Sequence, residues 1–444
     1  MAGKKINHSH PKWSYSTNIY EVNVRQYTPE GTFNAFSKHL PRLKDMGVQV
    51  LWFMPITPIS ENGRLGTLGS YYAAKDYEKI NPEFGTKEDF KSLVKEAHEM
   101  GFKIILDFVA DHTGNDHPWV TEHPEYFIQD ENKEIVHPHG WSDVSQLNYE
   151  VPNVWKKMTD VLKYWITEYD VDGFRCDMAH LVPLDFWVHA KKKTAKLKDD
   201  LFWLGECEVP EYHKVFDATY TWKWMHASED FYHKKISLQS MLTILYRSNI
   251  EFPCDAQRVY FTSNHDENSW NGTTAEKYGN ALKLFAVFSC TWNGIPLIYS
   301  GEELPNFKRL KFFEKDQIDW NPNVELHTFY KTLLTLKSNN KSLRAGDPDV
   351  INKLISHPDD PHIFAYLREY KSSQVFVILN CSDDNLNFIV KNVFGVFRNV
   401  FGGEDVNFDT NNTVYLNAWG YLVFERVQML SKDSELYDKD IPSF

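Results

Sequence analysis

Eight short apolar segments recur between residues 19 and 299, and this recurrence constrains the fold more than any other feature. Between most of them lie longer stretches with apolar residues at helical spacing, at 86–100, 152–169, 275–290 and 324–336. Alternating strands and helices predict parallel strands, and eight of them close most economically as a (β/α)8 TIM barrel in an α/β fold. The predicted strands are 19–24, 48–53, 103–108, 172–176, 202–205, 215–218, 258–262 and 296–299.

Two parts of the chain depart from this alternation. Residues 113–150 have no clear helical pattern, and a connection of that length in a compact fold is more often functional than idle. After about residue 345, alternating segments separated by Asn, Asp and Gly indicate an all-β sandwich, with strands at 363–367, 374–379, 387–389 and 413–416. We therefore expect a catalytic barrel at 1–112 and 151–344, a small excursion domain at 113–150, and a C-terminal sandwich at 345–444.

The net charge of −13 limits the partners of the chain. Nucleic acids and anionic membranes select surfaces rich in Lys and Arg, so neither is expected as a partner, whereas a neutral polymer is unaffected by this charge. No stretch approaches the length of a membrane-spanning helix, and the first ten residues lack the apolar core of a signal peptide. We expect no membrane insertion, a monomer, and a cytoplasmic location for the chain as given, or a secreted or periplasmic one if a signal was removed.

Three acidic residues each follow a short apolar run: Asp177 in GFRCD, Glu206 in FWLGE and Asp266 in FTSNHD. In a (β/α)8 barrel the carboxyl ends of the strands carry the chemistry. Cleavage of a glycosidic bond requires two carboxyl groups, one that donates a proton and one near the anomeric carbon, and a third acid can support the charged transition state. The pattern predicts an enzyme that cleaves bonds between sugars.

The local settings of the first two acids predict different roles. Arg175 precedes Asp177 by two residues, so strand alternation places both side chains on one face, where the guanidinium can keep Asp177 ionised as a nucleophile. Glu206 would lie in a desolvated cleft near Asp177, and both effects raise the pKa of a proton donor. A separation of about 5 Å between the two carboxyl groups would predict retention of configuration. The alternative is a structural Arg–Asp pair with a surface Glu.

Two histidines accompany acids at predicted strand ends: His112 follows Asp107, and His265 precedes Asp266. Histidines there can donate hydrogen bonds to sugar hydroxyls. A metal-dependent hydrolase built from these four residues is the alternative, but they lack the H-x-H or HExxH spacing that metal sites favour. The five cysteines are widely spaced and form no CxxC pair, so no metal ligation by cysteine is expected.

The order of several short motifs resembles that of the α-amylase family of glycoside hydrolases (glycoside hydrolase family 13). The matching segments cover most of residues 15–340. In chain order they are GVQVLWFMPI at 47–56, SYYAAKDY at 70–77, DFVADHT at 107–113, QLN at 146–148, GFRCDMAH at 173–180, LGE at 204–206, FTSNHD at 261–266 and GIPLIYSGEE at 294–303.

This resemblance implies roles for the matching positions. Asp177 would be the nucleophile, Glu206 the general acid/base in preference to Glu208, and Asp266 the acid that binds sugar hydroxyls and distorts the ring. Asp107 would anchor the region of Arg175. The residues around the sugar at the cleavage site would be Tyr72, His112, Arg175 and His265.

The activity implied is that of an endo-acting, retaining α-1,4-glucan hydrolase acting on starch, glycogen or maltooligosaccharides. An α-glucan transglycosylase or an α-glucosidase of the same family is the alternative, and a non-catalytic carbohydrate-binding relative is a remote one. No cofactor is expected for the chemistry. The chain has Asp111 where the family has an Asn that ligates calcium in many members, and an Asp is compatible with a structural calcium ion. It also has His180-Leu181 where the family usually has Lys-His.

Overall fold

A computed structural model of the protein describes residues 5–6, 8–304, 307–320, 323–409 and 412–427. Eight parallel strands form a closed barrel in the order β1-β10-β9-β8-β7-β6-β3-β2, which confirms the predicted fold class. The strands up to the end of the barrel are β1 (Ile19–Val22), β2 (Val50–Phe53), β3 (Lys103–Val109), β4 (His112–Gly114), β5 (Val144–Gln146), β6 (Gly173–Asp177), β7 (Phe202–Gly205), β8 (Ala218–Tyr220), β9 (Gln257–Tyr260) and β10 (Ile295–Tyr299).

Most of the helices alternate with the barrel strands along the chain. The helices are α1 (Val24–Tyr27), α2 (Phe33–Ser37), α3 (Leu40–Met46), α4 (Lys87–Glu99), α5 (Pro118–Glu122), α6 (Pro152–Tyr169), α7 (Leu184–Thr194), α8 (Trp222–Tyr232), α9 (Leu238–Glu251), α10 (Thr274–Tyr278), α11 (Leu282–Thr291) and α12 (His327–Asn339). Unlike the others, α5 lies in the segment between β4 and β5. None of the described helices combines the length and apolar character needed to cross a bilayer.

Local sequence signals explain where helices begin and end. The Thr86 side chain accepts a hydrogen bond from the backbone N–H of Asp89, whose carboxylate bonds back to Thr86, so a capping box starts α4. α6 begins with Pro152, where a missing N–H costs nothing. The stretch predicted as one helix at 275–290 is split into α10 and α11, because Gly279 adopts a left-handed conformation (φ 45°) and ends α10.

The register of the strands brings chemical groups together at one end of the barrel. β3 pairs with β6 so that Asp107 lies opposite Arg175 and Val109 opposite Asp177. The sixth barrel strand, β8, begins later than predicted, because residues Pro210–Lys214 form a 3₁₀ helix that delays the extended chain. The barrel interior is filled by buried side chains such as those of Trp52, Phe202, Leu204 and Leu297.

The segment after β3 contains the antiparallel pair β4–β5, whose register sets His112 opposite Gln146. Beyond the barrel lie two antiparallel sheets, as predicted for the C-terminal part of the fold: a six-stranded one in the order β11-β12-β13-β18-β15-β16 and a two-stranded one of β14 and β17. Residues 428–444 of the predicted sandwich lie outside the described residues. The strands are β11 (Ile351–Leu354), β12 (Ile363–Tyr370), β13 (Ser373–Asn380), β14 (Leu386–Val390), β15 (Gly395–Asn399), β16 (Val406–Phe408), β17 (Asn412–Leu416) and β18 (Tyr421–Arg426).

Candidate active site

The carboxyl ends of the barrel strands surround a cavity of about 310 Å³. Asp177 is the last residue of β6, Glu206 directly follows β7, and Asp266 lies in the loop after β9, where a π-helical segment (Glu267–Asn271) begins. π-helical turns are rare and frequently mark functional sites. Six of the seven site residues predicted from the sequence line this cavity: Tyr72, His112, Asp177, Glu206, His265 and Asp266.

The seventh, Arg175, is fully buried beside the cavity and joins three carboxylates. Its Nη1 donates to Asp177 Oδ1 at 2.8 Å and to Asp107 Oδ1 at 2.9 Å, and its Nη2 lies 2.8 Å from Glu206 Oε2. Because one planar guanidinium contacts both Asp177 and Glu206, these two carboxyl groups lie side by side at the same end of the barrel. A buried arginine keeps its charge only with such partners, which explains the position of Asp107.

Glu206 is in an environment that favours its protonated form. Burial, together with the negative charges of Asp177 and Asp266, raises the pKa of Glu206 to about 8, although Arg175 acts in the opposite direction. Met178, with a left-handed backbone (φ 40°), donates its N–H to Glu206 Oε2 at 2.9 Å and fixes the carboxyl group. At neutral pH this side chain therefore carries a proton that it can donate.

His265 is held between two acids and a tyrosine. Its Nδ1 lies 2.5 Å from Glu21 Oε1, and its Nε2 lies 2.8 Å from the Tyr72 hydroxyl and 3.3 Å from Asp266 Oδ2. Burial disfavours the charged imidazole, but Asp266 and Glu21 outweigh it and raise the pKa of His265 well above its usual range. His265 is therefore a cation, and both ring N–H groups donate hydrogen bonds.

The charge of His265 in turn keeps Asp266 ionised. Burial opposes ionisation of Asp266, but the charge and hydrogen bond of His265 lower the pKa of this carboxyl below its ordinary value. The Tyr72 hydroxyl also donates to Asp107 Oδ2 at 3.1 Å. A chain of hydrogen bonds therefore runs from Glu21 through His265 and Tyr72 to Asp107.

Sequence reasoning missed Glu21. This residue is fully buried in β1, inside the apolar run IYEV, and its position is the signal that could have revealed it. A carboxylate in the middle of a barrel strand has no access to water, so it needs a specific partner. Glu21 supports His265 without lining the cavity itself.

Aromatic side chains on loops wall the cavity, and sequence reasoning missed these as well. The Phe312 ring stacks on the Tyr72 ring at a centroid distance of 6.4 Å, and the Trp270 ring lies 5.5 Å from the Phe312 ring. Trp270 is 59% exposed, so its indole face is available for an apolar sugar face. Trp141 packs edge-on against His112 at 5.7 Å on another side.

Other candidates from the sequence lie in different settings. Glu208 Oε1 accepts a hydrogen bond from Arg258 Nη2 at 2.8 Å, and Glu208 Oε2 accepts one from the Lys223 N–H at 2.9 Å. Both oxygens are thus engaged by partners other than Arg175, so the geometry favours Glu206 over Glu208 as the proton donor.

The residues of the alternative metal site do not assemble as ligands. Among the described residues, Asp107, His112, His265 and Asp266 do not form a group of three or more converging donor atoms, and Asp111 belongs to no such group either. The nearest acidic or basic contact of buried Asp111 is His112, whose Nδ1 lies 3.4 Å from Asp111 Oδ2. A calcium ion at Asp111 would need main-chain and water oxygens as its other ligands. Calcium binding therefore stays a prediction.

Comparison with known proteins places this site in a family context. The profile described as "Alpha amylase, catalytic domain" matches residues 9–143 and 130–346. Alpha-amylase 2 of Dictyoglomus thermophilum is 24% identical over 90% of this chain and 74% of its own length. The crystal structure of a noncanonic maltogenic alpha-amylase, AmyB, from Thermotoga neapolitana is 29% identical, covers 94% of this chain and 99% of its own, and superimposes with a TM-score of 0.86. An alpha-amylase from Lactobacillus plantarum, also 29% identical, covers 94% of this chain and 100% of its own with a TM-score of 0.84.

Proposed function

This chain belongs to the α-amylase family of glycoside hydrolases, and we propose that it hydrolyses internal α-1,4 bonds of starch, glycogen or maltooligosaccharides with retention of anomeric configuration. The observation that carries this proposal is the arrangement at Arg175. One guanidinium contacts Asp177 and Glu206, while burial and nearby anions hold the proton on Glu206. Neighbouring carboxyl groups, one protonated, are what a retaining glycosidase requires.

The proposed reaction is a double displacement. Asp177 attacks the anomeric carbon and forms a covalent glycosyl-enzyme, while Glu206 donates its proton to the leaving oxygen. In the second half, Glu206 as a base takes a proton from water, which attacks the same carbon and releases Asp177. Two inversions restore the original configuration.

The remaining cavity residues position the sugar at the cleavage site. The carboxylate of Asp266 accepts hydrogen bonds from sugar hydroxyls, and the imidazole of His112 donates one. His265, whose two N–H groups face Glu21, Tyr72 and Asp266, holds the Tyr72 and Asp266 side chains beside the sugar. The exposed face of Trp270 offers a stacking surface for a neighbouring sugar.

Transfer to a sugar acceptor instead of water is the second candidate. One relative, 27% identical over 85% of this chain, is an alpha-1,4-glucan:maltose-1-phosphate maltosyltransferase from Picrophilus torridus. The aromatic wall formed by Phe312 and Trp270 also favours a sugar ring over water near the glycosyl-enzyme. No cofactor is proposed for either reaction, and the protein is proposed to act as a monomer.

The products formed from maltoheptaose distinguish these activities. Endo-hydrolysis gives a ladder of short oligosaccharides at early times, an α-glucosidase gives glucose alone, and transfer gives products longer than the substrate. Proton NMR of the first-formed products reports the anomer, and retention predicts the α form. An initial β product would contradict the double displacement, and loss of activity in a strong chelator that calcium does not restore would contradict a metal-free chemistry.

A further inference from the structure

A second cluster of chemical groups lies at the opposite end of the barrel from the active site. Asp217 immediately precedes β8, at the amino end of the parallel strands, and its side chain is fully buried. His8 Nε2 lies 3.2 Å and His10 Nδ1 3.1 Å from the same oxygen, Asp217 Oδ1. The ligand atoms of all three residues lie within 4.8 Å of one another. Residues 8–10 carry the His-x-His spacing that the active site lacks.

The hydrogen bonds of His10 determine where its proton is. Its Nε2 lies 2.8 Å from the backbone carbonyl oxygen of Asp255, and a carbonyl can only accept a hydrogen bond. Nε2 therefore carries a proton, and in the neutral ring the lone pair of Nδ1 points toward Asp217 Oδ1. Two electron-pair acceptors 3.1 Å apart repel each other unless a cation lies between them. A histidine that ligates a metal commonly donates its other N–H to a carbonyl in this way.

We propose that His8, His10 and Asp217 bind a divalent transition-metal ion, with Zn²⁺ as the best fit. Two imidazole nitrogens and one carboxylate oxygen are a ligand set that zinc accepts, with a fourth position for water. Metal–ligand bonds of about 2.0–2.2 Å in a tetrahedron place donor atoms about 3.3–3.5 Å apart. The two separations from Asp217 Oδ1, 3.1 and 3.2 Å, need only a small outward shift.

The surroundings leave Oδ1 of Asp217 accessible to such an ion. The Trp203 N–H donates to the other oxygen, Oδ2, at 2.9 Å. Lys191 is the nearest competing cation, but its Nζ lies 3.4 Å from both Asp217 oxygens and makes its shorter hydrogen bond, 2.5 Å, to the Val215 carbonyl. Binding of the metal would therefore weaken only the long contacts between Lys191 and Asp217.

The bound ion would fasten the N-terminal arm to the base of the barrel. His8 and His10 belong to the segment that precedes a 3₁₀ helix (Lys12–Ser16), whereas Asp217 lies between β7 and β8. Residues at the amino end of a TIM barrel act in stability rather than in catalysis. The ion is therefore a structural one, and its removal should leave the turnover of the folded enzyme unchanged.

Zinc titration of tag-free, chelator-treated protein tests this site. Isothermal titration calorimetry should show about one tightly bound Zn²⁺, and saturating Zn²⁺ should raise the melting temperature by about 3 °C. Co²⁺ in place of Zn²⁺ should give the visible absorption of a tetrahedral site. His8→Gln and His10→Gln should each weaken zinc binding by at least about tenfold.

The matched control is His357→Gln, which changes an exposed histidine in the C-terminal part of the chain. His8 is partly exposed, so its variant should fold even if the His10 variant does not, and a cooperative melt checks this for each protein. Zinc binding that is unchanged in His8→Gln, or equally weakened in His357→Gln, would overturn the proposal. The absence of zinc binding in wild type would overturn it too.

Discussion

Replacement of Glu206 by glutamine is expected to stabilise the folded protein at neutral pH while it removes the proton donor. Burial, with Asp177 and Asp266 nearby, raises the pKa of Glu206 from 4.5 to about 8. Between these two values the folded protein holds a proton that the unfolded chain releases, so each pH unit lowers the free energy of unfolding by about 1.4 kcal/mol. Glutamine resembles the protonated acid but does not titrate, so its presence does not make folding less favourable as the pH rises. The free energy of unfolding of the variant should therefore exceed that of wild type by about 3 kcal/mol at pH 7.

Urea unfolding of both proteins at pH values from about 4 to 9 measures this gain. Below the unfolded-state pKa the acid is neutral in both states, so the two proteins should be equally stable there. The difference should then grow with pH and become constant above pH 8. Glu96→Gln, an exposed change on α4, is the control and should have no such pH dependence. Equal stability at pH 7, or a gain independent of pH, would refute the environment assigned to Glu206.

Three further results are expected. Asp177→Asn should lower kcat on maltoheptaose by about 10⁴-fold or more while the Kd for the oligosaccharide, measured by calorimetry, changes little; full activity would exclude Asp177 as the nucleophile. Glu206→Gln should still react with maltosyl fluoride, whose leaving group needs no proton, and equal rate losses on fluoride and glucan would exclude Glu206 as the acid. Glu21→Gln keeps an oxygen that can accept from His265 Nδ1 but removes its negative charge, which weakens the bond to the cation by about 1–1.5 kcal/mol. The NMR-measured pKa of His265 should therefore fall by about one unit, and an unshifted titration would contradict the pairing.

The barrel could be predicted from sequence because its strands are buried on both faces and read as short apolar runs. The first two acids could be predicted because strand ends and period-two alternation are local properties: Arg175 and Asp177 must share a face, and Glu206 follows the next strand. The position of β8 was wrong by three residues at its start, since Val215 and Phe216 are apolar but belong to the end of a 3₁₀ turn and to the core.

The contacts of Glu21 and Phe312 could not be predicted, because they depend on long-range packing. Glu21 on β1 meets His265, which follows β9 and lies 244 positions further along the chain, and nothing near either residue in the sequence indicates this contact. Phe312 and Tyr72 come from loops after different strands, and their stacking depends on how those loops fold over the cavity. The cluster of His8, His10 and Asp217 could not be predicted from sequence either, because Asp217 lies 207 positions from His10.

The shared guanidinium has a consequence for anyone who wishes to alter the acidity at which this enzyme works. Arg175 contacts Asp107, Asp177 and Glu206 at once, so these three carboxyl groups form one set that shares a single positive charge. A change made inside that set disturbs every member. Adjusting the working range should therefore succeed through more distant charges, which shift the whole group together and leave its internal balance intact.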